Sequence, residues 1–248
     1  MERDDRPPVG TFFVESPLVP GEPISLGETA AHHARVKRLS AGDPVRLTDG
    51  AGHHAAGSIS DIRRTSVVVA VQEVRSVERP PAIHLRAPVA DRDRMLWLAE
   101  KATELGVTSW QAVRFRRSAS VSPRGEGDAF QEKLRARMVS ALEQSTGAWL
   151  PKLLADTSLD ALHIESSQLP IVLDVEGAPL ASLLTSAPLS AEPVILVGPE
   201  GGLEPAELSS LIDTGWQSAS LAGTMLRFET AGVAAIAVVR GAQLQRGY

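Results

Sequence analysis

The stretch Val194-Ile195-Leu196-Val197-Gly198-Pro199-Glu200-Gly201-Gly202 decides how this chain is read. A run of β-type apolar residues stops abruptly at glycines with a carboxylate among them. Bare backbone is thereby presented at a strand end, where a small ligand can approach closely. A second stretch, Leu221-Ala222-Gly223-Thr224-Met225-Leu226-Arg227-Phe228-Glu229-Thr230-Ala231, shares the design. Either loop alone reads equally as a tight turn between a strand and a helix. Two of them in one parallel sheet can meet at its carboxyl edge, where ligands of open α/β sheets bind.

Working outward, the pattern over the last two thirds of the chain alternates between strand and helix. Strands are expected at 83–87, 170–175, 194–197 and 218–221, and helices at 91–105, 129–144 and 205–214. Gly106 stands as the stop of the first of these helices. Such alternation predicts an α/β fold, a mostly parallel sheet with helices on both faces. Residues 230–239 are almost wholly apolar, so a helix there has no face suited to water and must be buried, part of it against a second subunit. Pro80-Pro81 marks a boundary, because consecutive prolines resist both helix and central strand. The domains are therefore expected at 1–79 and 80–248. In the first, short strands at 11–14, 44–48, 56–59 and 66–71, a hairpin turn at Asp49-Gly50-Ala51-Gly52 and a helix over 28–39 predict a small β-barrel.

Composition narrows the chemistry. The 248 residues include no cysteine and six histidines, which removes disulfides, thiolate nucleophiles and the common zinc clusters. His32-His33 and His53-His54 are adjacent pairs whose side chains point apart on a strand or helix, so no metal site is expected. No Gly-X-Gly-X-X-Gly follows a strand and no Gly-X4-Gly-Lys-Ser/Thr occurs, so dinucleotide and nucleoside triphosphate binding are unsupported. No apolar run approaches the ~20 residues that span a bilayer. The charged start Met1-Glu2-Arg3-Asp4-Asp5-Arg6 lacks the apolar core of a secretory signal, so a cytoplasmic protein without membrane partners is expected. The net charge of −5 is unevenly spread: −1 over residues 1–80, +3 over 81–151 and −7 over 152–248. Arg114, Arg116, Arg117, Arg124, Lys133, Arg135 and Arg137 make the middle segment basic, which reads equally as a phosphate-contacting patch or a solvated face. The acidic last third argues against a polyphosphate cofactor and is compatible with a cationic or neutral one.

Taken together, Gly198-Pro199-Glu200-Gly201-Gly202 and Met225-Leu226-Arg227-Phe228-Glu229-Thr230-Ala231 resemble the ribosomal RNA uridine-N3 methyltransferases, of the SPOUT superfamily of knotted methyltransferases. The likeness extends over nearly the whole chain. It includes 33–39 with Gly42-Asp43 and Asp49-Gly50, the run Lys101-Ala102-Thr103-Glu104-Leu105-Gly106-Val107, Arg117-Ser118 and Glu143-Gln144-Ser145. The resemblance implies a PUA-like barrel for RNA, then an α/β domain with a C-terminal trefoil knot, working as a homodimer on the small-subunit ribosomal RNA or the 30S particle. It implies S-adenosylmethionine as cofactor, cradled by Leu173, Val197, Gly198, Pro199, Glu200 and Gly201, and by Leu221, Gly223, Met225 and Leu226. It implies Arg227 and Glu229 as candidates for catalysis, against the alternative of an intramolecular ion pair that fixes the knot. Arg35, Arg38 and Arg117 are the RNA-contact candidates.

The chemistry implied is in-line attack of an activated uracil nitrogen on a sulfonium methyl, in which the protein aligns the partners and helps remove the imide proton. Three departures stand out. Thr146-Gly147 occupies the place of a usual Gly-Arg, Phe228 that of a threonine, and Ala222-Gly223-Thr224 that of Gly-X-Arg. Methylation of another RNA position, and an inactive RNA-binding assembly factor, are the alternative readings. Glu100 and Glu104, with Lys101 beside them on an amphipathic helix, read as a solvated face rather than an acid/base pair.

Overall fold

The computed structural model describes residues 7–120 and 125–247. Arg124 and the charged first six residues lie outside them. The chain divides into two units, one of residues 1–79 with 139–150, the other of 80–138 with 151–248.

The first unit holds strands β1 (Thr11–Phe13) and β2 (Pro23–Leu26), helix α1 (Glu28–Val36), and strands β3 (Pro44–Thr48), β4 (His53–Ile62) and β5 (Val67–Ser76). They form a five-stranded sheet in the order β1-β3-β4-β5-β2. The expected hairpin joins β3 to β4: Asp49 Oδ1 accepts the amides of Ala51 at 2.8 Å and His53 at 3.0 Å, while Gly50 and Gly52 take φ of 67° and 101°. That wrap of backbone around one carboxylate is an Asx turn, which Asp makes without a partner strand. Inside the sheet, Phe12, Leu47, Ile59, Val67 and Val69 are fully buried around Ala31 and Ala34 of α1. Strand β2 was not expected, because Pro23-Ile24-Ser25-Leu26 carries a proline and one strong β-former. It is an edge strand, the place where proline is tolerated in a sheet.

The second unit contains β6 (His84–Pro88), α2 (Arg92–Glu104), β7 (Ser109–Arg114), α3 (Asp128–Ser145, the last turns of which belong to the first unit), and the short β8 (Lys152–Leu153) and β9 (Thr157–Ser158). After these come β10 (Gln168–Pro179), α4 (Leu180–Ser186), β11 (Glu192–Leu196), α5 (Pro205–Asp213), β12 (Gln217–Ser220) and α6 (Phe228–Gln245). Their sheet runs β12-β10-β11-β6-β7-β8, with β9 also on β7, and every pairing is parallel. Successive strands β11 and β12 lie on opposite sides of β10, so the strand order reverses there.

Local chemistry places the helices around this sheet. Asp91 caps α2 by accepting the amides of Asp93 and Arg94, and Gly106, at φ 71°, ends it as the sequence predicts. Met95, Leu98, Ala99 and Ala102 form its buried face, whereas Lys101 bonds Glu100 and Glu104 at 2.8 Å each on the outside. Pro205 at the first turn of α5 and the reciprocal Glu204–Glu207 capping box fix where that helix begins. Helix α6 is longer than the apolar run alone suggests. Arg240 extends it by giving its guanidinium hydrogens to the carbonyls of Pro81, Leu105 and Gly106.

The end of α3 belongs to the first unit and is pinned there. Glu143 Oε1 accepts the Phe13 amide at 2.8 Å, and Gly147 O accepts the Thr48 hydroxyl at 3.1 Å. Burial pushes the Glu143 carboxyl above the usual carboxylate range, with the Phe13 amide acting against it. Thr146, next in the motif, sits at φ 56°, a left-handed conformation that a β-branched residue adopts only under strain. Thr146→Gly is therefore expected to stabilise the protein by about 1 kcal/mol and raise the melting temperature by about 2–4 °C. A scanning calorimetry trace with no increase would show that the strain is relieved some other way.

Candidate functional site

The carboxyl edge of the sheet, where β10 and its neighbours end, holds a cavity of about 360 Å³. That volume lies within the range of small-molecule sites, about 300–1,000 Å³. Three stretches wall it: Leu173, Asp174 and Val175 from β10, the loop from Val197 to Leu203 after β11, and the loop after β12. Phe228 and Ala231 of α6 close it. The two glycine-bearing loops singled out in the sequence thus meet, and the strand-order reversal at β10 is what brings them together.

Each loop has a reason for its residues. A Cβ on Gly198 would lie 2.5 Å from Leu203 Cδ1, so a larger residue there would make the tip of Leu203 shift from its place over the loop. Gly202 takes φ 69°, and a Cβ on Gly201 would rest 3.4 Å from the Arg117 side chain. Arg117 in turn donates from Nη1 to Gly201 O at 2.8 Å. On the far wall β10 leaves its register with β12 after Leu173 and recovers it at Ala178, making a bulge of the intervening residues. Gly177 permits this, since a Cβ there would meet Ala219 N at 2.6 Å.

Of the ten cradle residues named from the sequence, Leu173, Val197, Gly198, Pro199, Glu200 and Gly201 line the cavity, as do Leu221, Met225 and Leu226. Gly223 does not, although its neighbours Ala222 and Thr224 do. Met225 is 77% exposed, a large apolar side chain standing at the cavity in open solvent.

The two candidates for catalysis part company. Arg227 is exposed as the N-cap of α6, between lining residues Leu226 and Phe228, and among the described residues its side chain has no hydrogen bond or ion pair. Glu229 is only 12% exposed: Oε1 lies 3.9 Å from Arg94 Nε, and Oε2 is buried without a hydrogen bond. Arg94 also pairs with Glu200, so one guanidinium on α2 joins the glycine loop to the first turn of α6. No motif pointed to Arg94, which in the sequence is one more charge on an amphipathic helix. In the first unit, Arg35 is exposed on α1 and donates to Arg64 O, while Arg38 is exposed just after the helix at φ 55°.

What the geometry defines is an α/β domain built to hold a small ligand in backbone loops at a topological switch point, joined to a small β-rich unit. Residues 77–240 match the family model described as the RNA methyltransferase domain, and residues 26–72 match that described as the RNA methyltransferase PUA domain. The chain belongs to this RNA methyltransferase family, and its first unit is PUA-like.

Among similar proteins are two named ribosomal RNA small subunit methyltransferase E. The one from Mycobacterium bovis is 28% identical over 65% of this chain and 63% of its own length. The chain thus spans under two thirds of that relative. The one from Bacillus subtilis is 24% identical, with 86% and 87% covered. The fold matches the crystal structure of a ribosomal RNA small subunit methyltransferase E from Neisseria gonorrhoeae bound to S-adenosyl methionine. That match has a TM-score of 0.82 and 24% identity, over 94% of this chain and 97% of that one. No helix among the described residues is long and apolar enough to cross a membrane.

Proposed function

We propose that this chain methylates N3 of a uridine in small-subunit ribosomal RNA, with S-adenosylmethionine as methyl donor. The observation that carries the proposal is the convergence of the 198–202 and 221–226 loops around one cavity. Its lining suits that cofactor. Leu173, Val197, Ala219 and Leu221 offer an apolar wall for a flat base, the glycines offer backbone groups, and Asp174 and Glu200 suit a cationic ligand better than a polyphosphate. The names of the mycobacterial and Bacillus relatives support ribosomal RNA as substrate, and the Neisseria structure supports the cofactor.

Bound there, S-adenosylmethionine supplies a methyl group made electrophilic by its sulfonium, so the chain's own task is alignment and the handling of one proton. Arg227, at the edge of the cavity and unpaired among the described residues, holds an RNA phosphate or the uracil oxygen on which charge develops. Glu229, just outside the lining, accepts the imide proton at Oε2, an oxygen buried without a hydrogen bond among the described residues that docked RNA would have to uncover. Arg94 keeps Glu229 and Glu200 in fixed relation. Arg117 on this unit, and Arg35 and Arg38 on the first, contact RNA. The same reading has the chain after β12 threading a trefoil knot, in keeping with β12 lying beside β10 rather than β11. It also has two copies pairing over the exposed Ala237, Gly241 and Leu244 of α6.

Calorimetry with S-adenosylmethionine and mass spectrometry of ribosomal RNA from a deletion strain test the proposal. Expected are saturable cofactor binding and the loss of one base-methylated uridine. Loss of a ribose-methylated nucleotide instead would reassign the target. No binding at millimolar cofactor would leave the chain an RNA-binding assembly factor.

A further inference from the structure

Among the described residues, three ionisable side chains line the cavity, and two are engaged. Arg117 donates to Gly201 O, and Glu200 is held by Arg94. Asp174 is the third. Its carboxylate accepts two long hydrogen bonds, from the Glu176 amide to Oδ1 and the Ser218 hydroxyl to Oδ2, each at 3.4 Å. Among the described residues it has no cation partner. A carboxylate is an acceptor only, with about four lone-pair positions, so most of its capacity is unmet by protein.

The chain goes out of its way to put this group there. Residues 174–177 are the bulge of β10, and a bulge re-aims side chains away from the ladder. The bulge closes only because Gly177 packs directly on Ser218 and Ala219 backbone. Asp174 also directly follows Leu173, part of the apolar wall that suits a flat base. A base seated against Leu173 would carry its attached group toward Asp174.

We propose that Asp174 accepts hydrogen bonds from the ribose hydroxyls of the bound adenosine. A vicinal diol offers two donors to two carboxylate oxygens, and the ribose is the group bonded to the base. The α-ammonium of the cofactor is the other available donor, but the whole ribose and the sulfur separate it from the base. The inference rests on the cofactor reading above and adds to it the group that selects the sugar.

The test is calorimetry on the full-length protein with three probes: S-adenosylhomocysteine, 5′-methylthioadenosine, which keeps the ribose but lacks the amino acid, and the 2′,3′-dideoxy form of the latter. In Asp174→Asn and Asp174→Ala, affinity for the first two is expected to fall about 10- to 100-fold, the loss typical of a charged hydrogen bond. The dideoxy probe is expected to bind wild type and variants alike. Unchanged affinities in a variant that melts like wild type would overturn the inference. So would a loss confined to S-adenosylhomocysteine, which would assign the carboxylate to the ammonium. Wild-type protein that binds none of the probes would overturn the cofactor reading and this inference with it.

Discussion

Arg227→Ala is expected to slow methyl transfer to RNA by about two orders of magnitude, the scale seen when one donor to a developing anion is removed, while cofactor affinity stays within about twofold. The asymmetry follows from position. Arg227 flanks the cavity between Leu226 and Phe228 but is not itself in the lining, and no described residue engages its guanidinium. The alternative, an internal ion pair that fixes the loop, finds its pairing elsewhere: it is Glu229 that is tied, and its partner is Arg94. Single-turnover kinetics beside calorimetry separates the two roles. An equal drop in turnover and cofactor affinity would make Arg227 a structural residue.

Gly177→Val should have the largest effect on stability. A Cβ at this position would sit 2.6 Å from both Ala219 N and Ser218 Oγ, and 2.7 Å from the Ser218 carbonyl carbon. The two backbone atoms, Ala219 N and the Ser218 carbonyl carbon, belong to β12 and cannot retreat without parting it from β10. Overpacking of this kind costs about 3 kcal/mol, equivalent to a fall of about 6–12 °C in melting temperature for a chain of this size. Cofactor affinity should fall with it, because Leu173 and Asp174 on one wall and Leu221 on the other depend on the same pairing. A variant that melts within a degree or two of wild type would mean the bulge can be rebuilt.

How much of this was written in the sequence depended on how local the signal was. The run at 194–197 ends at glycines whatever surrounds it, so the parallel sheet and both loops of the cavity were legible. Strand β7 was not, since Ser109-Trp110-Gln111-Ala112-Val113-Arg114 mixes polar and charged residues. It lies between β6 and the short β8 and β9, and that placement rather than propensity makes it a strand. Helix α4, seven residues without a side-chain cap, left no signal either. Glu143 was visible as part of a motif, but that it holds the Phe13 amide, 130 residues away, is a fact of tertiary structure. The same holds for Arg94 and Glu200, 106 residues apart. The bulge that carries Asp174 does have a local sign, since Gly177 stands inside an apolar strand, where glycine often marks a bulge.

Apart from Arg117, the residues that wall the cavity all lie between Leu173 and Ala231, and Phe228 and Ala231 lie on α6. During synthesis from the amino end, the β-rich unit and five of the seven strands of the parallel sheet emerge before β11 and β12 exist. Competence to take up a methyl donor is therefore acquired only once the start of α6 has emerged, and a product truncated before Phe228 lacks the residues that close the pocket. The donor, by engaging only the finished form, adds its binding energy to the elements laid down last.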